Sequence, residues 1–355
     1  MTKELFDYMR KVSRQTDKYT IEIINNLKSE SRDIFEYSSH LPFLRNSSNQ
    51  NNLIPKTRNT LASLIYQLFA NENDADIKKI IPILSFIELS TCATYVLDDI
   101  IDKQTQRHTD KSTWSKYGIS KGIIAGGIQT FIGFKALNYL EVDNEKKIKI
   151  YTLANDMWLK LWTGEGANEE MKEKTTLEEY INRCYNICGV MFEVAAKISA
   201  MIANANDSMI MSASDMGKNY GTAVMIRNDL TDVIRHFSKH SKALSKDPLE
   251  DFNKGVWTYP LRYAIEHSSP VDKKFLEERI GKTIGNTLKD VDKICKIVQT
   301  SGAIDATLNL IEEYKMLSQK SISLFPDSKY TRLLMALTNS LDNLKTYAQN
   351  HDNNA

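Results

Sequence analysis

The stretch IKKIIPILSFIELSTCATYVLDDIID, residues 77–102, decides how this chain is read. It is helical in length and apolar on nearly every side until its last turn, which marks a buried, central helix. Its C-terminal end then carries Asp98, Asp99 and Asp102. Asp98 and Asp102 lie four residues apart and share a helix face, where like charges repel. An acidic helix end on a solvated face would show the same pattern. The buried flank instead places these acids at an interior or a cleft, where carboxylates need a cation or a partner. Carboxylates one turn apart suit Mg²⁺, which completes its shell with water and phosphate oxygens.

Outward from this helix the pattern stays helical. Apolar positions of helical period recur at about 4–29, 58–69, 118–140, 145–163, 176–205, 208–237, 256–267, 271–299, 302–322 and 328–349, with 103–113 read as a loop. No strand-like alternation persists, and 7 prolines with 14 glycines are few for a β-rich chain of 355 residues. The expected fold is all-α, about ten or more helices in a single domain over 1–355, with its core at about 55–345 and a frayed polar tail at 350–355. The balance of 46 basic to 45 acidic side chains gives no reason to expect nucleic acid as a partner. The charged N-terminus does not read as a signal peptide, and no run of about 18 apolar residues predicts a membrane span. Cys184 and Cys188 are one turn apart, the spacing of half a metal site, but no second cluster completes it. Together with Cys92 and Cys295 they read as buried thiols in a reduced, cytoplasmic setting.

A second acidic constellation lies in MIRNDLTDVIRH, residues 225–236, again at the end of an apolar helical stretch. Asn228 and Asp232 are four apart, with Asp229 beside them. Two such clusters about 130 residues apart, facing each other across a cavity, would hold several Mg²⁺ ions on a diphosphate and draw charge off it as it leaves.

These motifs in this order resemble the trans-isoprenyl diphosphate synthase and class I terpene synthase superfamily, the polyprenyl synthetase-like proteins. ELSTCATYVLDDIID resembles the first aspartate-rich motif, GISKGIIAGGIQTFIGFKAL the helix after it, and SKDPLEDFNKGVWTYPLRYAI the stretch after the second motif, typically G-K-P-x-G-x-D-L-x-E-G-K-x-T-x-P. The likeness covers roughly residues 55–270. It implies an isoprenoid-synthase-type helical bundle around a central cavity, an allylic prenyl diphosphate as substrate, and Mg²⁺, three ions, as cofactor. It also implies a homodimer as one assembly, since this fold often dimerises. Asp98, Asp102, Asn228 and Asp232 would hold the metals, with Asp99 and Asp229 supporting them. Arg107, Arg183, Arg227 and Lys246 would meet the diphosphate.

The departures carry as much information. Chain-elongating members bind isopentenyl diphosphate through G-G-K-x-x-R, which here is LIPKTR: Arg58 survives, Pro55 stands at the lysine, and Lys56 is a partial substitute. Thr91 replaces a His or Gln, His108 replaces the second arginine after the motif, Cys188-Gly189 replaces a Lys-Thr pair, and Val256 replaces a lysine. The second motif, Asn228-Asp229-x-x-Asp232, lies between the elongating D-D-x-x-D and the terpene-synthase N-D-x-x-(S/T)-x-x-x-(E/D), with His236 misfitting the last position. Arg183, 45 residues before Asn228, matches a diphosphate-sensing arginine of terpene synthases, and Lys329-Tyr330 with Arg332 is a weaker match to their terminal Arg-Tyr pair.

The small residues Thr94 and Ala93, four and five before the first aspartate, imply a deep prenyl pocket and a substrate of C15 or longer. Phe69, Phe86, Trp158, Trp162, Phe192 and Tyr220 are candidates to line it and to face carbocations, though any one of them is equally a core residue. The reading with the isopentenyl side eroded is a class I terpene synthase, a diphosphate lyase. The alternatives are a chain-elongating synthase with a divergent isopentenyl site, a ComQ-like prenyltransferase to another acceptor, and an inactive binding subunit.

Overall fold

A computed structural model describes residues 1–29, 31–45, 54–70, 76–107, 110–170, 175–234, 249–282 and 288–342. In chain order the helices are α1 (Lys3–Asn25), α2 (Arg32–Leu44), α3 (Thr57–Phe69), α4 (Ile81–Ile101), α5 (Thr113–Tyr117), α6 (Ile119–Leu137), α7 (Asn144–Glu170), α8 (Leu177–Cys184), α9 (Val190–Ile202), α10 (Asp207–Ile234), α11 (Glu250–Lys254), α12 (Tyr259–His267), α13 (Pro270–Glu277), α14 (Leu288–Thr300), α15 (Ala303–Ile322) and α16 (Lys329–Asn339). The fold is the all-α class the sequence predicts. The strands among the described residues are β1 (Gln106–Arg107) and β2 (Asp110–Lys111), a short antiparallel ribbon inside the stretch read as a loop.

The differences from the sequence reading have local causes. Helix α2 escapes the periodicity because its buried face is polar, Ser38, Ser39 and His40 lying beside Tyr37 and Leu41. Ser31 accepts from the Ile34 N–H and caps its start. The helix read over 176–205 is three pieces, because a π-turn at Tyr185–Gly189 separates α8 from α9. Helix α7 runs on to Glu170, through Gly164 and Gly166. The helix read over 271–299 is broken where Gly281 takes φ +73.

Two stretches, Ile77–Ile101 and Leu177–Ile202, are long and apolar enough to cross a membrane, which corrects the sequence reading on length and composition. The most apolar window of the first is 78% buried inside the protein and that of the second 61%.

The chain divides into two compact units. One comprises Met1–Asp156, Val194–Ser214 and Leu324–Leu337; the other comprises Met157–Glu193, Asp215–Ser323 and Thr338–Ala355.

In the first unit α4 is the central element, buried as its sequence requires. Helix α6 packs closely on it through its glycines: a Cβ at Gly126 would lie 2.7 Å from the Leu97 Cγ. Phe86 meets Phe134 edge-on at 5.4 Å. Asn59 ties three helices together, donating to the Leu84 carbonyl at 3.0 Å and to Thr16 Oγ1 at 3.3 Å. Buried amides of this kind fix helix register because leaving them unpaired is costly.

In the second unit α10 makes a similarly close contact. A Cβ at Gly217 would meet the Phe192 carbonyl oxygen at 2.5 Å and the Glu193 Cα at 3.0 Å. Tyr220 and Phe192 pack edge-on at 5.3 Å, both fully buried. Gly217→Ala should therefore destabilise the protein by about 1–3 kcal/mol, since rigid backbone must move. Gly127→Ala, on α6 with nothing within 4 Å of its added Cβ, should stabilise it by about 0.5–1 kcal/mol. Urea unfolding of the two variants checks both signs.

Candidate active site

Each unit carries one of the two acidic constellations. In the first, α4 ends where the Asp102 N–H donates to the Asp98 carbonyl at 2.8 Å, and the next residue, Lys103, turns left-handed at φ 56. That reversal, usually left to glycine, sends the chain back over the acids. The Gln104 N–H donates to the Asp99 carbonyl at 2.8 Å, and the Trp114 indole donates to the Gln104 carbonyl at 2.7 Å. Strand β1 then carries Arg107 onto the motif. Its Nε donates to both Asp99 oxygens, at 2.9 and 3.1 Å, and its Nη2 bonds Asp99 and, at 3.2 Å, Asp98.

The side chains therefore divide by face. Asp99 is 1% exposed and turned to Arg107. Asp98 and Asp102 are only half-buried, at the same end of α4. The structure places Asp99 as the anchor of Arg107, whereas the sequence expected it to support the metal. His108 lies outside the described residues.

About three turns back along α4 from Asp98, Glu88 is buried with two cations. Arg45 Nε donates to its Oε1 at 2.8 Å, and Lys56 bonds the same oxygen while also pairing with Asp17 at 3.0 Å. Tyr95 packs against the apolar cluster of Tyr37, Leu41, Cys92 and Val96 and also meets two cations: the guanidinium carbons of Arg107 and Arg45 stand 4.8 and 5.4 Å from its ring centroid. Burial raises the Tyr95 phenol, but Arg58, Arg45 and Arg107 outweigh it, so the net shift is downward. Ala93 is fully buried, and the Thr94 hydroxyl bonds the Thr91 carbonyl at 3.0 Å.

In the second unit Arg183 reaches the second motif. Its Nη1 donates to Asp229 Oδ2 at 2.8 Å, and its Nε donates to Asn168 Oδ1 at 2.9 Å. Tyr180 donates to the same Asp229 oxygen at 2.8 Å. All of these side chains are buried. Burial works against the Arg183 charge, but Asp229 foremost holds its pKa above the ordinary value. Asp232 accepts from the backbone N–H groups of Glu250 and Asp251, both at 3.2 Å, and so caps α11. Asn228 is exposed and Arg227 half-buried on α10. Lys246 and His236 lie outside the described residues.

Several partners were not singled out in the sequence. Asp251 stands at the D of the quoted G-x-D-L pattern, and burial, then Asp232 and Asp229, push its carboxyl well above the usual range. Glu88, a lone acid in an apolar run, was a signal of the same kind. Arg45, Asp17 and Asn168 carried none. Other expectations separate from the motifs. Tyr330 is buried edge-on against Tyr8, and Arg332 bonds Asp327 at the surface. Trp162 is 49% exposed, while Phe86, Phe192, Trp158 and Tyr220 are buried. The four cysteines are buried and free.

The donors available for a metal, Asp98, Asp102, Asn228, Asp232 and Asp251, are hard oxygen ligands of the kind Mg²⁺ takes. Among the described residues no three His, Cys, Asp or Glu side chains already converge in metal-holding geometry. Burial first, and then the neighbouring Asp232 and Asp229, push Asp251 up, and a divalent cation would offset the carboxylate repulsion.

Comparison with known proteins gives the class first. Geranylgeranyl pyrophosphate synthetase from Pyrococcus horikoshii superposes with a TM-score of 0.82 at 23% identity, covering 96% of this chain and 98% of that one. A polyprenyl synthase from Caulobacter crescentus, solved with calcium and isoprenyl diphosphate, gives 0.79 at 19% identity, covering 94% and 96%. These define the prenyl-synthase helical fold. Octaprenyl diphosphate synthase of Haemophilus influenzae is 23% identical over 258 residues, 71% of this chain and 74% of that protein. The polyprenyl synthetase family model matches residues 55–298, and the chain belongs to that family.

Glu88 gives this site a defined acid dependence. Burial raises its carboxyl, but Arg45 and Lys56 outweigh burial and hold it at about 2, against an ordinary 4.5. A depressed folded-state pKa adds stability that is complete above 4.5 and is lost as pH falls towards about 2. Urea midpoints measured down that window should fall for the wild-type protein and fall less steeply for Glu88→Gln.

Proposed function

We propose that this protein is a Mg²⁺-dependent prenyltransferase that ionises an allylic prenyl diphosphate and joins the resulting cation to isopentenyl diphosphate. The observation that supports it best is the family match over 55–298, which spans both aspartate-rich motifs. The names of the relatives, octaprenyl and geranylgeranyl diphosphate synthases, favour chain elongation over a terpene-forming lyase.

In this reading Asp98 and Asp102 hold Mg²⁺, as do Asn228 and Asp232. The bound ions supply positive charge to the departing diphosphate. Arg107, held in place by Asp99, adds hydrogen bonds to the same anion, and bidentate guanidinium geometry suits phosphate oxygens. Arg183 and Tyr180 keep Asp229, and with it the motif-bearing turn of α10, in a single orientation. Ala93 and Thr94 leave room beneath the motif for a prenyl chain of C15 or longer.

One observation favours a second reading, a terpene synthase or a prenyltransferase with another acceptor. Lys56, the cation nearest the missing motif lysine, is buried between Asp17 and Glu88. The purified protein should be incubated with Mg²⁺ and geranyl, farnesyl or geranylgeranyl diphosphate, with and without isopentenyl diphosphate. Longer diphosphates formed only with isopentenyl diphosphate support elongation; a hydrocarbon or alcohol formed without it moves the assignment to the second reading. Asp98→Ala should lower turnover by about 10²–10³-fold or more with the circular dichroism unchanged. Retained activity would refute the metal role.

We also propose a homodimer. Helix α6 exposes Ile119, Ile123, Ile124 and Phe131, the last 75% exposed, as an apolar ridge. Sedimentation should show a dimer that Phe131→Glu converts to monomer, and a monomeric wild type would reject the assembly.

A further inference from the structure

We propose that His40 is a positioning residue for Arg107, acting through Asp110 and the β1–β2 ribbon. The inference rests on the reading of Arg107 as a partner of the leaving diphosphate.

A ribbon of two residues per strand is not stable on its own, so something else must hold it. In the pairing, Arg107 stands directly opposite Asp110. Whatever holds Asp110 therefore holds the backbone from which Arg107 reaches Asp98 and Asp99. His40, on α2, approaches it from a side chain only 5% exposed. Its Nε2 faces Asp110 Oδ2 at 3.5 Å, and its Nδ1 shares a hydrogen bond of 3.1 Å with Thr113 Oγ1, at the start of α5. The Tyr117 ring meets the imidazole edge-on, with centroids 5.4 Å apart. Lys116 shares Asp110 at 3.7 Å, but from an exposed lysine.

The imidazole thus spans the two ends of the segment that follows the ribbon, one nitrogen on β2 and the other on α5. The Ser112 N–H closes the base of the loop on the Thr105 carbonyl at 2.9 Å. With His40 in place, the arginine is set from two directions, by the carboxylates it grips and by the strand that carries it. Without His40, the strand's side of that setting falls to the exposed Lys116 and the Ser112–Thr105 bond. Misplacement of a charge-stabilising group by about 1 Å can lower a rate by about 10²-fold.

The test measures affinity for inorganic diphosphate with Mg²⁺ by calorimetry, which needs no turnover, alongside kcat and KM for an allylic diphosphate. The variants are His40→Ala, His40→Gln, Asp110→Ala, Arg107→Ala and His40→Ala combined with Arg107→Ala. Asp110 is 41% exposed, so its substitution spares the core. His40→Ala and Asp110→Ala should each weaken diphosphate binding about tenfold, and His40→Gln, whose amide can reach Asp110, should recover most of it. On the Arg107→Ala background, His40→Ala should cause no further loss, the signature of two residues acting as one. Amide exchange over residues 104–107 and 110–112 should quicken in His40→Ala. Additive losses in the double variant, or unchanged diphosphate affinity in His40→Ala, would overturn the inference. A wild-type protein that turns over no allylic diphosphate but shows this binding pattern would reject the proposed function and leave the role of His40 standing.

Discussion

Buried carboxylates govern this structure. Helix α4 is enclosed almost all round, so each acid on it must find a counter-charge, because an isolated buried ion is too unfavourable to persist. Glu88 takes Arg45 and Lys56, and Asp99 takes Arg107. The pairing draws in α1 through Asp17, α2 through Arg45, and the ribbon through Arg107. In the second unit Asp229 does the same with Arg183 and Tyr180. Removing one partner of such a pair costs about 3–5 kcal/mol, which makes these contacts constraints on the local fold as well as on chemistry.

The two acidic clusters share a design. In each, one aspartate of the motif is buried and grips an arginine, Asp99 with Arg107 and Asp229 with Arg183. Its neighbour at the preceding position, Asp98 or Asn228, stays accessible. A helix turn of two adjacent polar residues points them about 100° apart, so one can anchor while the other binds. The motif therefore sets a buried anchor beside a more accessible oxygen donor at the adjacent position.

The same buried pairing fixes Lys56, just before α3. Lys56 has two carboxylates within reach, so its charge is already satisfied before any substrate arrives. Arg45 and Arg107, paired with Glu88 and with Asp98 and Asp99, also lie against the Tyr95 ring.

Much of this was legible in the residues themselves. The helical class, the buried α4 and the acids at the ends of α4 and α10 follow from short-range pattern, since periodicity and charge spacing act within a few turns. The sequence also placed Arg107 and Arg183 beside their motifs, through family resemblance. It did not reveal α2, whose buried face is serine and histidine, nor the π-turn that divides α8 from α9. The partners were the least legible: Glu88 meets Arg45 across 43 positions and Lys56 across 32, and Arg183 meets Asp229 across 46. By itself the sequence determined which residues carry charge into an apolar interior. Only the tertiary structure decided which opposite charge each would meet, because that choice is made by helices brought together from distant parts of the chain, and no local pattern encodes it.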